Sequence, residues 1–426
     1  VTVSDASDSR RKALFALLQE EMAGYPQLRH DPAEGMPLQV VSFGAQEVQE
    51  ALDSLLTTWV TMGQKVSRFE NAWADFCGED QQALHSVMVN SGSSANLLIW
   101  TSLVASGRLN KGDEVLVPAV GWSTTLFPIV QAGLKAVLVD VDPETLCLDI
   151  EAAKASVGPR TRAACVVHLL GAAGPVTELE QLGLMVIEDA CAAHGARRAG
   201  RRVGSIGLAG SFSFFFSHHI TTIEGGICVT RDAELADTMR SMRAHGWVRE
   251  MHSKETHVQA HPEIDPRFLF VTPGFNIRPT ELAGAFGLHQ IQRLPAFLAQ
   301  RRTNHRQWCA ALSAEFGWLR VFPEAEGTEH AGFAFPLVVE ENAPVNRETL
   351  MSGLEAAGIA TRPISGSNLA RQPAVVGLDG VRVSGALDVA DLVHERGFFV
   401  GNSHAFGEGH CRLLITQIRE VIRGLG

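Results

Sequence analysis

Apolar residues recur along this chain in two rhythms. Spaced three and four apart they mark helices: Leu14, Leu17, Leu18 and Met22 within residues 10–24, and Val48, Leu52, Leu55, Leu56 and Trp59 within residues 46–60. Gly24-Tyr25-Pro26 ends the first and Met62-Gly63 the second, and Phe69 begins another. Gathered into short runs, apolar residues mark strands instead, at 87–89, 115–118, 136–141, 163–168, 184–187, 227–230 and 333–339. Helices are expected at 96–104, 280–294 and 347–357, the last stopped by Gly358. This alternation predicts an α/β fold whose central, mostly parallel sheet is covered on both faces. A charged helix over 295–316 should bridge into a smaller α+β unit. The expected division is an N-terminal helical extension (1–39), a large domain (40–294), and a linking helix with a small C-terminal domain (295–426).

Composition narrows the function classes. A chain of 426 residues, 46% apolar, can bury two cores. Net charge is −11 with no basic run, which argues against nucleic acid as a partner, because phosphate binding needs clustered positive charge. No apolar run nears the ~18 residues of a membrane span. Asp5, Asp8, Arg10, Arg11 and Lys12 near the start are unlike a secretory signal, so a cytoplasmic enzyme is expected. Seven cysteines lie singly, without zinc or redox spacing, and read as buried free thiols. Tyr25 is the one tyrosine, which removes a tyrosine acid or base from anywhere else in the chain.

The candidate chemistry centres on residues 211–226, SFSFFFSHHITTIEGG. An aromatic-rich run, with Phe212, Phe214 and Phe216, reads as a buried strand continuing to residue 216. His218 and His219 then sit on a tight loop closed by Gly225 and Gly226, before a second strand leaves. Upstream, Asn90-Ser91-Gly92-Ser93-Ser94-Ala95 joins a strand to a helix start, where free N–H groups, the helix dipole and hydroxyls form either a phosphate cradle or a plain N-cap. Trp122 offers a flat apolar face, for a ring or for the core. Asp189 lies just past a strand end, where such folds place ligand groups but where helix caps also occur. Arg362 could clamp a diphosphate or carboxylate bidentately, or stand in solvent. The polar insert over 248–267 carries His252, His257 and His261 without cysteines or an acidic cluster, so no metal is expected there, only a mobile loop.

These segments resemble the pyridoxal-phosphate-dependent sugar aminotransferases of the DegT/DnrJ/EryC1/StrS type. Their cofactor-lysine segment runs F-S-F, two or three residues, K, N-L-T-T-G-E-G-G. On it the Schiff-base lysine falls at His218, the asparagine at His219 and the serine at Ser213. A histidine in the lysine position marks a branch of nucleotide-sugar 3-dehydratases. The resemblance covers most of the chain from Val40 onward. It implies an aspartate-aminotransferase-like fold and a phosphate held by Gly92, Ser93 and Ser94. It also implies a ring stacked on Trp122, a pyridinium paired with Asp189, and Asn276 reaching the neighbouring subunit's phosphate from a G-F-N-x-R run, hence a homodimer with shared sites. Arg362 and Asn368 would contact substrate, and His219 would orient or neighbour it, or else simply pack. Many relatives place a glutamine two or three residues beyond the aspartate, where this chain has Cys191, Ala192 and Ala193.

An imidazole cannot make the covalent link of a lysine amine. The resemblance therefore implies pyridoxal or pyridoxamine 5′-phosphate bound non-covalently, glutamate as amine donor, and His218 as base and acid for loss of the C3 hydroxyl from a 4-keto-6-deoxy sugar. Two alternatives stay open: a sugar aminotransferase using another lysine, Lys254 being nearest in sequence, or a non-catalytic binder of cofactor or sugar.

Overall fold

The computed structural model describes residues 5–78 and 83–425. Its centre is an eight-stranded sheet, numbered here in chain order: β1 (His85–Val89), β2 (Glu114–Pro118), β3 (Lys135–Val139), β4 (Thr161–Val167), β5 (Met185–Asp189), β6 (Ala209–Ser213), β7 (Gly226–Thr230) and β8 (Val381–Val383). The spatial order is β1-β7-β6-β5-β4-β2-β3-β8. Only β7 runs against its neighbours. Alternate residues feed two cores: Val137 and Val139 face one side with Trp73, Phe212 and Phe214, while Ala136 and Leu138 face the other with Trp100. Burial on both faces is why these strands read as continuous apolar runs.

A four-stranded antiparallel sheet, in the order Leu319–Arg320, Ala334–Val339, Gly397–Gly401 and Thr361–Pro363, forms the second unit. Its core includes Trp308, Phe335 and Phe398, with side chains from the helices Arg347–Ala356 and Glu408–Arg423.

Four expectations need correction. The helices expected at 280–294 and 295–316 are one helix, Glu281–Glu315, with Pro295 inside it, so the boundary at 294/295 falls within a continuous element. The C-terminal region also returns β8 to the large sheet, parallel to β3. The insert over 248–267 is not all loop, since it holds the helix Lys254–Ala260. The strand expected to run to Phe216 stops at Ser213; Phe215 and Phe216 lie beyond it, exposed. At the other end, the helix Asp5–Glu21 is followed by a stretch in which Met36 pairs with Gly358 and Ala360 of the small unit.

Candidate active site

Two adjacent carboxylates end β5, and strand alternation sends them to opposite faces. Glu188 is wholly buried and fully used. It accepts the N–H groups of Gly204, Ile206 and Gly207, each at 2.7 Å, and His168 Nε2 at 2.9 Å. His168 Nδ1 accepts the Gly174 N–H, so Nε2 carries the ring proton. Asp189 faces the helix Gly92–Ala105. Its Oδ2 accepts from Asn96 Nδ2 (2.9 Å) and Thr125 Oγ1 (2.6 Å), and its Oδ1 accepts the Cys191 N–H (3.2 Å). Asn96 Oδ1 in turn accepts from Ser211 Oγ at 2.6 Å. The carboxylate is thus aimed by a buried polar network.

The helix Gly92–Ala105 starts beside it. Ser91 caps the start by accepting the Ser94 N–H, and Ser94 Oγ donates to Asn90 Oδ1. Ser94 is therefore spent on capping. Ser93 Oγ pairs with Thr124 Oγ1 at 2.8 Å, tying this start to the helix Ser123–Gln131, whose N-cap is the exposed Trp122. A Cβ on Gly92 would lie 2.5 Å from Ser213 Cβ and 3.1 Å from Cys191 Sγ. One on Gly226 would lie 2.3 Å from Ser91 O and 2.6 Å from Gly92 N. Both glycines are there so that the cradle, β6 and β7 can touch. Cys191 stays a thiol: burial first, then the charge of Asp189, push its pKa well up.

Between β6 and β7 the loop presents His218. Gly225 leaves room for Thr222 Oγ1, and Thr221 N–H is held by Gln290 Oε1 at 3.0 Å. The His218 carbonyl accepts from Gln39 Nε2 (3.2 Å), whose Oε1 accepts from the buried Arg301 (3.0 Å). Edge-on contacts with Phe333 (5.2 Å between ring centres) and Phe215 (6.2 Å) flank the half-buried imidazole. Desolvation lowers its pKa to about 4, with Asp189 pulling up and Arg301 pushing down. The ring is therefore neutral near pH 7 and able to accept a proton.

The structure brings Gly92, Ser93, Ser213, Asp189 and His218 together around one place, with Trp122 at its rim. It does not bring all the expected residues there. His219, expected to meet substrate, is wholly buried and bonds the Ala331 carbonyl through Nε2 at 3.2 Å, because the loop turns its ring inward against His194 and Phe333. Asn368 is buried too, with both polar ends occupied: Oδ1 caps Ala370 N and Nδ2 donates to Asp391 at 2.6 Å. Arg362 is exposed on Thr361–Pro363, its guanidinium bonded to the Thr361 carbonyl. Asn276 is exposed, its Oδ1 held by Arg278 Nε at 3.0 Å. Asn96, Thr125, Gln39 and Arg301 are members of the site that motif reading missed.

The six lysines are placed elsewhere. Lys65 and Lys154 are paired with acids. Lys111 and Lys135 lie at the starts of β2 and β3, the sheet edge opposite Asp189. Lys12 is on the first helix and Lys254 on the insert helix. The residues at the site fit a phosphate-bearing, protonated aromatic ring: a helix start made bare by Gly92, an aimed carboxylate, and a neutral base.

Comparison with known proteins agrees with this geometry. The model of the DegT/DnrJ/EryC1/StrS aminotransferase family matches residues 41–419. A GDP-4-keto-6-deoxy-D-mannose 3-dehydratase of Yersinia pseudotuberculosis is 37% identical over 364 residues, 83% of this chain and 90% of that one. A solved GDP-4-keto-6-deoxymannose-3-dehydratase, a histidine-to-asparagine variant with bound GDP-perosamine, superposes with a TM-score of 0.84 at 34% identity, covering 91% of this chain and all of that one. The E. coli enzyme with bound hydrated PLP gives a TM-score of 0.83 at 35% identity, covering 91% and 99%.

Proposed function

The chain belongs to the DegT/DnrJ/EryC1/StrS aminotransferase family, and we propose that it is a pyridoxal-phosphate-dependent 3-dehydratase of a nucleotide-linked 4-keto-6-deoxyhexose. GDP-4-keto-6-deoxymannose, the substrate named for its relatives, is the first to test. The observation that carries this reading is the neutral imidazole of His218 on the loop facing Asp189, with all six lysines placed elsewhere.

Bound pyridoxal or pyridoxamine 5′-phosphate supplies an electron sink. The N–H groups of Gly92 and Ser93, with the Ser93 hydroxyl, hold its phosphate at the positive end of the helix dipole. Ser213, packed against Gly92, would add its hydroxyl there, and the exposed Trp122 would offer a flat face to the ring. Asp189, aimed by Asn96 and Thr125, pairs with the ring nitrogen. His218 would take the proton that the bound cofactor acidifies and return it to the C3 hydroxyl, which leaves as water with the C–O bonding pair, burial between Phe215 and Phe333 keeping the imidazole neutral beforehand. Arg362, exposed and bonded here to the Thr361 carbonyl, would have to swing free to meet the substrate's phosphates, and glutamate would restore the amine form. Exposed Trp59, Phe268 and Phe270, with Asn276, support a homodimer with shared sites. Cytoplasmic placement goes with a nucleotide-linked substrate. No helix among the described residues is long and apolar enough to cross a membrane.

The test is incubation with GDP-4-keto-6-deoxymannose, cofactor and glutamate, following loss of water by mass. His218→Asn should keep the cofactor and lose elimination, and His218→Lys should give a borohydride-trapped adduct. An asparagine variant that dehydrates at the normal rate removes His218 from the mechanism. An adduct trapped on wild-type protein favours an aminotransferase instead.

A further inference from the structure

Behind His218 lie two more imidazoles, His194 and His219, both wholly buried. Their ring centres are 5.0 Å apart, and His194 is 6.2 Å from His218. Among the three rings, four buried nitrogens have no hydrogen-bond partner: both of His194, and Nδ1 of His218 and of His219. Buried polar atoms in such number are rare without a reason.

Counting protons limits what each nitrogen can do. His219 donates through Nε2 to the Ala331 carbonyl, so its Nδ1 is a bare lone pair. His194 lies among Trp73, Phe212 and Phe214, and burial, then the proximity of His218, holds its pKa well below the usual value. It is therefore neutral, with one N–H and one lone pair. The Ser213 carbonyl lies beside this ring and draws its N–H without closing a hydrogen bond. The other nitrogen is left as an acceptor.

His218 needs such an acceptor. To take a proton from the cleft, Nε2 must be bare, which places the ring hydrogen on buried Nδ1. The Phe215 carbonyl lies beside the His218 ring as the Ser213 carbonyl lies beside His194, and likewise closes no hydrogen bond; without a closed partner the hydrogen stays on the solvated nitrogen, the wrong tautomer for a base. Which nitrogen is protonated is set by the hydrogen bond the other makes.

We propose that His194 is a positioning residue for His218, accepting the Nδ1–H of His218 through one enclosed water that the ring nitrogens of His194, His218 and His219 surround. The gap is too long for a direct bond, and a site with three polar partners is what a buried water requires. His194 touches neither cofactor nor sugar. It selects the tautomer that leaves Nε2 bare, and it offers a lone pair to the imidazolium that forms when His218 takes the proton. This rests on the reading of His218 as the base.

The test is imidazole 15N NMR on histidine-labelled protein without cofactor, with the His218 signals assigned by their absence in His218→Asn. The expected result is His218 as the Nδ1–H tautomer in wild type and in His194→Gln, which keeps an acceptor, and as Nε2–H in His194→Phe. With cofactor loaded, conversion from the aldehyde to the amine form by glutamate should slow on the order of 10-fold or more in His194→Phe, with unchanged cofactor affinity, and recover in His194→Gln. His218 as Nε2–H in wild type overturns the proposal, as does a folded His194→Phe with wild-type tautomer and rate. If His194→Phe does not fold, the wild-type tautomer alone decides. Wild-type protein that never converts the cofactor would sink the dehydratase reading, while the tautomer measurement would still decide this one.

Discussion

Acid should unfold this protein before it titrates His218. Seven histidines are held neutral by the fold: burial keeps His194, His219 and His330 well below the usual range, His218, His305 and His410 at about 4, and His404 at about 3. Their unfolded value is near 6.5, so as pH drops below that value the unfolded chain takes protons the folded one refuses. Stability is full above pH 6.5 and is lost as pH falls toward the folded values. At pH 5 each ring wholly neutral in the fold costs about 2 kcal/mol. Halved for local relaxation and for the half-buried His218, seven rings still remove about 7 kcal/mol, against a typical total of ~5–15 kcal/mol. The melting temperature should be flat from pH 8 to 7 and fall on the order of 10 °C by pH 5, measured by circular dichroism at fixed ionic strength. The acid limb of glutamate-driven cofactor conversion should follow that curve, since His218 itself ionises lower. A melting temperature unchanged to pH 5 refutes the reasoning. So does a rate that halves near pH 6.5 while the fold is intact, because His218 would then be titrating as an exposed histidine.

Three substitutions probe the supports of the site. Gly226→Ala drives a Cβ into the backbone of Ser91 and Gly92, which should cost ~1–3 kcal/mol in stability and weaken cofactor binding; a cofactor titration with an unchanged Kd would contradict the close packing of cradle and β7. Thr125→Val keeps shape but strips one donor from Asp189 Oδ2, and a loss of about 1–3 kcal/mol in cofactor binding is expected, read as a rise in Kd of about 5-fold or more. Asn368→Ala removes a cap and the bond to Asp391, so thermal stability should fall by the equivalent of about 1 kcal/mol with the sugar KM unmoved. A raised KM at unchanged stability would restore Asn368 as a substrate contact.

What the chain's pattern made legible was whatever depends on local repetition. β3 and β4 announced themselves because burial on both faces demands unbroken apolar runs, whereas β8, three residues joining late to the sheet edge, has too little length to carry a pattern. The boundary expected at 294/295 falls at Pro295, and proline removes a helical hydrogen bond, yet Leu294, Phe297 and Leu298 pack into the large core on either side of it and hold the helix together. Side-chain direction is the harder matter. His218 and His219 are the same residue type on the same loop, and only the loop's backbone decides that one meets the cleft and the other the Ala331 carbonyl. Asn96 did carry a signal, a lone amide inside the apolar run Ala95 to Trp100: a polar group buried there must have a partner, and that partner is Asp189. Gln39 and Arg301 carried none, since their meaning lies in a contact 179 residues away from Gln39 and another 262 residues from it. Through them the base loop is fastened to the long helix, and Arg301 also donates to the Phe333 and Asn402 carbonyls of the small unit. The base of one unit is thus set against the backbone of the other, so the placement of His218 depends on how the two units pack, as that of Asp189 within the large sheet does not.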